Sequence, residues 1–346
     1  MDTNIDTSIS EVTVLLPAYN AEKYLAEAVD SILKQTFVNF EFLIIEDGST
    51  DKTLSILNSF NDSRIRIIKH AENKGLVYSL NEGLELTKSK YIVRMDADDI
   101  APPNRLKVQL DFMNENQDIA AAGSFYQIIG REEIQKMPTS NDTIKVHMLF
   151  HTAMAHPTII LRRDSFIDAN YLFDQDFKHA EDYELWSRAC VSLKFANIPQ
   201  VLLKYRFHED QVSTKFNKIQ RDTMNLVQIN LLSNLGISIS SDEKVIQSGI
   251  AYSEYGNDKE YLIKLLDWLR RIDAANATSH FFDEVSLGNY LSVKWFLISG
   301  HLSLNGICPP IKNMNKNFNT SNYVYLKNTF YLLIKIMIGQ IKKLFR

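Results

Sequence analysis

Tyr91-Ile92-Val93-Arg94-Met95-Asp96-Ala97-Asp98-Asp99 decides how this chain of 346 residues is read. A short apolar run, the pattern of a buried strand, ends abruptly in three carboxylates. Like charges so close repel one another unless a hard divalent cation such as Mg²⁺ or Mn²⁺ is held between them and a phosphate ligand. A plainer role also fits the residues: Asp98 or Asp99 could N-cap a helix opening near Pro103, because proline is favoured in a first helical turn. The segments on either side bear on the choice.

Upstream, residues 12–16 (VTVLL) form a continuous apolar run ending at Pro17, and residues 21–34 carry Leu25, Ala28, Val29, Ile32 and Leu33 at helical spacing. A second run, residues 40–45, ends in Glu46-Asp47-Gly48-Ser49-Thr50-Asp51 before a helix through Leu54, Ile56 and Leu57. Residues 65–68 predict a third strand, residues 76–86 a helix, and residues 91–95 a fourth strand. Strands apolar on both faces and alternating with helices imply an α/β fold, a mostly parallel sheet flanked by helices. Ligands of such sheets bind beyond the carboxyl ends of the strands. The residues there are polar in every case: Tyr19, Asn20 and Glu22, then Glu46 and Asp47, then Asn73, Lys74 and Gly75, then Asp96, Asp98 and Asp99. Neither GxGxxG after the first strand nor GxxxxGK[ST] occurs, so a Gly-rich phosphate loop is not supported and a metal has to meet any phosphate charge.

Composition narrows the function. Apolar residues make up 45% of the chain, enough for buried cores, and the length suits about two domains. A net charge of −4 gives no basic footprint, which argues against nucleic acid as a partner. The 2 cysteines, Cys190 and Cys308, have no CxxC spacing and suggest neither a disulfide framework nor a thiolate metal site, which suits a reducing cytoplasm. The polar start of the chain, residues 1–11, carries no export pattern.

Leu16-Pro17-Ala18-Tyr19-Asn20, Glu46-Asp47-Gly48-Ser49-Thr50-Asp51, Asn73-Lys74-Gly75 and Asp96-Ala97-Asp98-Asp99, in this order and spacing, resemble the family 2 glycosyltransferases of GT-A (Rossmann-like) fold, the bacterial surface-polysaccharide type in particular. The resemblance covers roughly the first two-thirds of the chain. Glu46 departs from it, standing where the family more often has a second Asp. The resemblance implies a nucleotide-sugar donor. Asp47 would accept a hydrogen bond from the imide N–H of uracil, which favours a UDP-sugar; Pro17, Tyr19 and Asn20 would line the uridine pocket, and Lys74 would approach the base or phosphates. Asp96 and Asp98 match the family's DxD, with Asp98 on Mn²⁺ or Mg²⁺, Asp96 on the ribose or the metal's water shell, and Asp99 as a helix cap.

Further along, His179-Ala180-Glu181-Asp182-Tyr183-Glu184 opens a helix, and acids in a first turn are the default complement to the helix dipole. Inverting members of the family place their general base in such an ED pair, which implies Asp182 as the catalytic base. Tyr205-Arg206-Phe207-His208-Glu209-Asp210-Gln211-Val212-Ser213 resembles the family's YRxHxxQxS segment, with His208 completing the metal site and Arg206 clamping phosphate. His156 precedes a further strand and would line the acceptor side. A sugar nucleotidyltransferase would have a Gly-rich first loop, a glycoside hydrolase would have no need of a nucleotide crevice, and the remaining alternative is a membrane-tethered, non-catalytic UDP-sugar-binding or interaction protein.

The expected organisation is a catalytic domain over residues 1–215, a helical region over 216–312, a linker over 313–322 and an amphipathic basic helix over 323–346. Capping-box spacing at Ser240-Ser241-Asp242-Glu243 and Asn257-Asp258-Lys259-Glu260 predicts two helix starts. The tail carries five basic residues, no acid and an apolar stretch too short to span a bilayer. It suits the inner face of the cytoplasmic membrane, with packing on the domain or on a partner chain as the alternative, and with the family resemblance it suggests a saccharide or polyprenyl-linked acceptor.

Overall fold

A computed structural model describes residues 10–208, 211, 216–304, 307, 334, 335 and 338. The apolar runs become strands β1 (Val12–Ala18), β2 (Phe40–Glu46), β3 (Ile65–Lys69) and β4 (Tyr91–Arg94), followed by β5 (Ile119–Ile128), β6 (Ile134–Gln135), β7 (Ile160–Arg162) and β8 (Lys194–Tyr205). Their order across one sheet is β3-β2-β1-β4-β7-β5-β6, with β8 on β5. β1, β2, β3 and β4 pair in parallel, as the doubly apolar runs require, and β8 runs parallel to β5. β7 enters antiparallel to both β4 and β5.

Helices α1 (Leu25–Leu33), α2 (Thr53–Leu57), α3 (Leu76–Leu86), α4 (Arg105–Glu115), α5 (Asn141–His147), α6 (Arg163–Ile167) and α7 (Glu181–Ala189) intervene. Leu25, Ala28, Val29 and Ile32 of α1, Leu106 and Leu110 of α4, and Val12, Val14 and Leu16 of β1 are buried in one hydrophobic core. Burying a side chain of this kind contributes about 1.5–3 kcal/mol, so the apolar periodicity sets which helix face meets the sheet. A parallel sheet covered by helices with antiparallel strands on one side is the GT-A arrangement the motifs imply.

Two local expectations are corrected. Asp99 caps no helix: α4 opens at Arg105 behind Asn104, which makes no side-chain cap, while Asp99 is buried beneath the loop. The second capping box is a single cap, because Asp258 accepts from Tyr261 N and the residue three beyond the cap is Tyr261 instead of an acid. The first is a full capping box, with Ser240 and Glu243 satisfying each other's backbone amides.

The chain divides into two compact units, one of Met1–Asn141 with Ala153–Thr223, the other of Asp142–Thr152 with Met224–Arg346. The second unit contains α9 (Ser241–Tyr252), α10 (Lys259–Ser279) and α11 (Glu284–Leu304), while α8 (Asn217–Ser233) crosses the division. Within it, the segment 142–152 is held by buried glutamines: Gln247 Nε2 donates to the Leu149 carbonyl (2.7 Å) and Gln228 Nε2 to the Phe150 carbonyl (3.0 Å). No helix among the described residues is long and apolar enough to cross a membrane. The expected linker over 313–322 and all but three residues of the basic tail lie outside the described residues.

Candidate active site

The site is built from the carboxyl ends of β2, β1 and β4, adjacent parallel strands whose ends share one edge of the sheet. Strands lie about 4.8 Å apart, so the residues following β2 and β4 are separated by about 10 Å across β1. Two loops leave this edge interlocked. Thr50 N donates to Asn20 Oδ1 (2.9 Å), Asn20 N to Ser49 Oγ (3.0 Å), Glu22 N to Asp51 Oδ2 (3.0 Å) and Lys52 N to Glu22 Oε2 (3.0 Å). These bonds lie just ahead of α1, which opens at Leu25, the first of its helically spaced apolar residues. Asn20 thus joins the two loops, Pro17 sits half-buried near the end of β1, and Tyr19 projects with 49% of its surface exposed.

Asp47, directly after β2, is buried and organises the next loop. Its Oδ1 accepts from Lys74 N (2.9 Å) and its Oδ2 from Gly75 N (2.9 Å). Gly48 is required beside it. Its φ is +68°, and a Cβ there would lie 2.4 Å from the Glu72 carbonyl carbon. The Lys74 ammonium turns back over the Tyr78 ring and meets its hydroxyl (3.1 Å). The sequence reading missed His70, whose Nδ1 is 2.6 Å from Asp47 Oδ1 and whose Nε2 is 2.7 Å from Glu82 Oε2 on α3. Burial opposes its cationic form, but the two carboxylates outweigh that and raise its pKa. His70 directly follows β3, so its place at a strand end was the available signal.

At the end of β4, single oxygens of Asp96, Asp98 and Asp99 come within 4.8 Å of one another. His208 Nε2 lies 2.9 Å from Asp98 Oδ2. Desolvation first, then the neighbouring Asp96, push the Asp98 carboxyl upward, and the same influences with Asp98 push Asp99 to about 8. Two buried polar atoms beside this cluster lack a partner, Asp99 Oδ2 and His208 Nδ1. Crowded carboxylate oxygens, an adjacent imidazole and unsatisfied acceptors form a donor set that suits a hard divalent cation. Arg206 is tied to the same loop: its amide donates to Asp99 Oδ1 (2.8 Å), its Nε to the Asp98 carbonyl (2.8 Å), and its guanidinium pairs with Glu27 and covers the Tyr24 ring.

Arg94 is a second feature the sequence reading left without a role, although a charge inside a strand buried on both faces was its signal. It pairs with Asp96 (2.6 Å), while its Nε and Nη1 are buried without partners. Arg105, wholly buried, donates to the Arg94 carbonyl (2.6 Å) and the Pro157 carbonyl (2.8 Å), fixing this strand end against the segment carrying His156. Asp182, in the first turn of α7, accepts from Tyr183 N (2.7 Å) and lies 3.9 Å from His156 Nδ1. Burial raises Asp182 to about 6; Arg94 pulls it back and Asp96 pushes it up, which puts Asp182 within electrostatic reach of the cluster at β4. Burial and Asp182 likewise push Glu181 to about 7. Desolvation holds His156 well below its ordinary value, a neutral imidazole packed on Phe173 and Trp186. A carboxylate poised near neutrality beside a neutral imidazole and a cation-binding set is equipped to take a proton from a hydroxyl.

Residues 13–169 match the family described as "Glycosyl transferase family 2". An uncharacterized glycosyltransferase of Haemophilus influenzae is 37% identical over 262 residues, covering 72% of this chain and 81% of that protein. The Escherichia coli protein WfgD, named a UDP-Glc:alpha-D-GlcNAc-diphosphoundecaprenol beta-1,3-glucosyltransferase, is 28% identical over 213 residues, covering 61% of this chain and 83% of its own. Among solved structures, S. aureus TarS 1-349 in complex with UDP-GlcNAc superposes with a TM-score of 0.57 at 20% identity, over 82% of this chain and 90% of that one, a likeness of fold. The pattern match, the identity to the H. influenzae protein and a GT-A sheet with acids at its strand ends lead to one assignment: this chain is a glycosyltransferase and belongs to glycosyl transferase family 2.

Proposed function

We propose that this enzyme transfers a sugar from a UDP-sugar to a hydroxyl of a saccharide acceptor, with inversion at the anomeric carbon, during assembly of a cell-surface polysaccharide on a lipid carrier. The observation that carries this reading is the cluster of Asp96, Asp98 and Asp99, with Asp96 paired to Arg94 and Asp182 within electrostatic reach of both. Asp47 Oδ2 carries one donor and so keeps a lone pair for the uracil imide N–H, and Pro17, Tyr19, Asn20 and Lys74 are assigned to the uridine pocket. Asp96 is assigned to the ribose side, and Asp98 with His208 to the cation. A divalent cation bound there supplies countercharge to the diphosphate leaving group. Asp182 removes the acceptor hydroxyl proton as the new C–O bond forms and the bond to UDP breaks, so the proton ends on Asp182 and the electron pair on UDP. Arg206, pinned against Asp98 and Glu27, holds the metal loop and contributes positive charge near the diphosphate.

The lipid-linked acceptor is supported by the diphosphoundecaprenol substrate in the name of the E. coli relative. The basic tail supports a peripheral position on the inner face of the cytoplasmic membrane. A UDP-release screen across donor sugars, with Mn²⁺ or Mg²⁺ and with EDTA, tests the donor and the cation together. Cation-dependent release on adding a polyprenyl-diphosphate-linked sugar is expected, and the product anomer read by NMR tests inversion. Release that is indifferent to EDTA would reject the scheme.

A further inference from the structure

The second unit contains a half-buried cluster that the transfer reaction does not use. His147 and His151 stand one helical turn apart, with His151 N bonded to the His147 carbonyl (3.2 Å) and their rings 5.7 Å between centres. Lys294 of α11 reaches them: its Nζ donates to His151 Nε2 (3.3 Å) and sits over the rings of Tyr290 (5.3 Å) and Phe150 (5.6 Å). The Tyr290 ring packs on both His147 and Phe150, and its buried hydroxyl has no partner. The glutamine bonds to the Leu149 and Phe150 carbonyls fix the backbone between the two histidines, so the cluster is preorganised.

The charges are unbalanced. Desolvation alone lowers Lys294, to about 8; His147 and His151 fall to about 4 and about 3 through desolvation and the Lys294 charge. No carboxylate among the described residues acts on any of the three. A half-buried ammonium is normally paired, and here its neighbours are imidazoles and aromatic faces. We infer that this cluster is a binding site for a phosphate-type oxyanion, with the Lys294 ammonium, the His147 and His151 imidazoles and the Tyr290 hydroxyl as its donors. A metal cation would meet the ammonium and is disfavoured by charge. A phosphate or diphosphate supplies the missing negative charge, and its second charge favours protonation of the imidazoles, converting them to donors. The inference rests on residues of the second unit and is independent of the donor assigned to the strand ends.

The test titrates the full chain with inorganic pyrophosphate in EDTA, followed by calorimetry and by NMR of labelled histidines. Saturable binding is expected, with His147 and His151 shifting toward imidazolium; Lys294→Met and the fold-sparing Tyr290→Phe weaken it by about tenfold or more, and Asp98→Asn leaves it unchanged. Repeating the titration with a soluble phosphomonoester and with short-chain prenyl diphosphate separates free phosphate from a phosphate-bearing molecule as the source. The inference is overturned if no binding saturates, if the histidine resonances stay in place, or if Asp98→Asn abolishes binding while Lys294→Met and Tyr290→Phe retain it.

Discussion

Asp182→Asn separates chemistry from stability and gives opposite signs for the two. Asp182 rises from 3.8 to about 6 on folding; at about 1.4 kcal/mol per pKa unit, ionising it in place is disfavoured by about 3 kcal/mol. A carboxyl with a raised folded pKa adds stability fully below pH 3.8 and loses it as the pH climbs through 6, so the wild type carries this penalty at pH 7.5. Asparagine never ionises, and its carbonyl still accepts from Tyr183 N. The variant should therefore gain up to about 3 kcal/mol at pH 7.5, raising the melting temperature by about 5 °C, with the gain vanishing toward pH 4. Turnover should fall by about 10²–10⁴, the contribution of a positioned general base, with donor affinity kept. Thermal unfolding across pH and UDP release read the two effects. A lower melting temperature at pH 7.5, or near-normal turnover, would refute the reasoning. In the wild type, rate should rise with pH along a limb at or below pH 6, since a cation on the β4 cluster cancels the upward push from Asp96.

Asp98→Ala should abolish cation binding by calorimetry and reduce turnover by about 10³ or more, because the leaving diphosphate is left uncompensated. His70→Gln should weaken UDP binding by about tenfold with little change in kcat, removing a charged hydrogen bond of about 1.5–3 kcal/mol from Asp47. Its destabilisation should be largest below pH 6.5 and fade as the pH rises through the raised folded pKa, which pH-dependent denaturation measures. Gly48→Ala forces a Cβ against the Glu72 backbone at positive φ and should lower stability by more than about 1 kcal/mol in urea titration.

Much of this architecture is legible in the sequence because parallel strands buried on both faces must be apolar throughout, and their ligand-facing ends must then turn polar. The runs at β1, β2 and β4 and the acids behind them carry that signature. His70 and Arg94 were harder to read. His70 gains its meaning from Asp47 and Glu82, which are 23 and 12 residues away, and Arg94 from Asp96 and from the acids of α7 that its charge reaches. Asp99 has the sequence position of a cap because acids often precede helices, whereas it is buried and its carboxylate accepts a long-range bond from Arg206. The excursion of residues 142–152 into the second unit has no compositional marker, since its anchors are glutamines on α8 and α9.

Calorimetric titration of UDP in Mn²⁺ and in EDTA, on the wild type and on Asp98→Asn, bears most directly on a cation-bridged nucleotide at the strand ends. The account predicts saturable binding to the wild type in Mn²⁺ that weakens sharply in EDTA and in the variant. Equal UDP affinity in all of these conditions would contradict it.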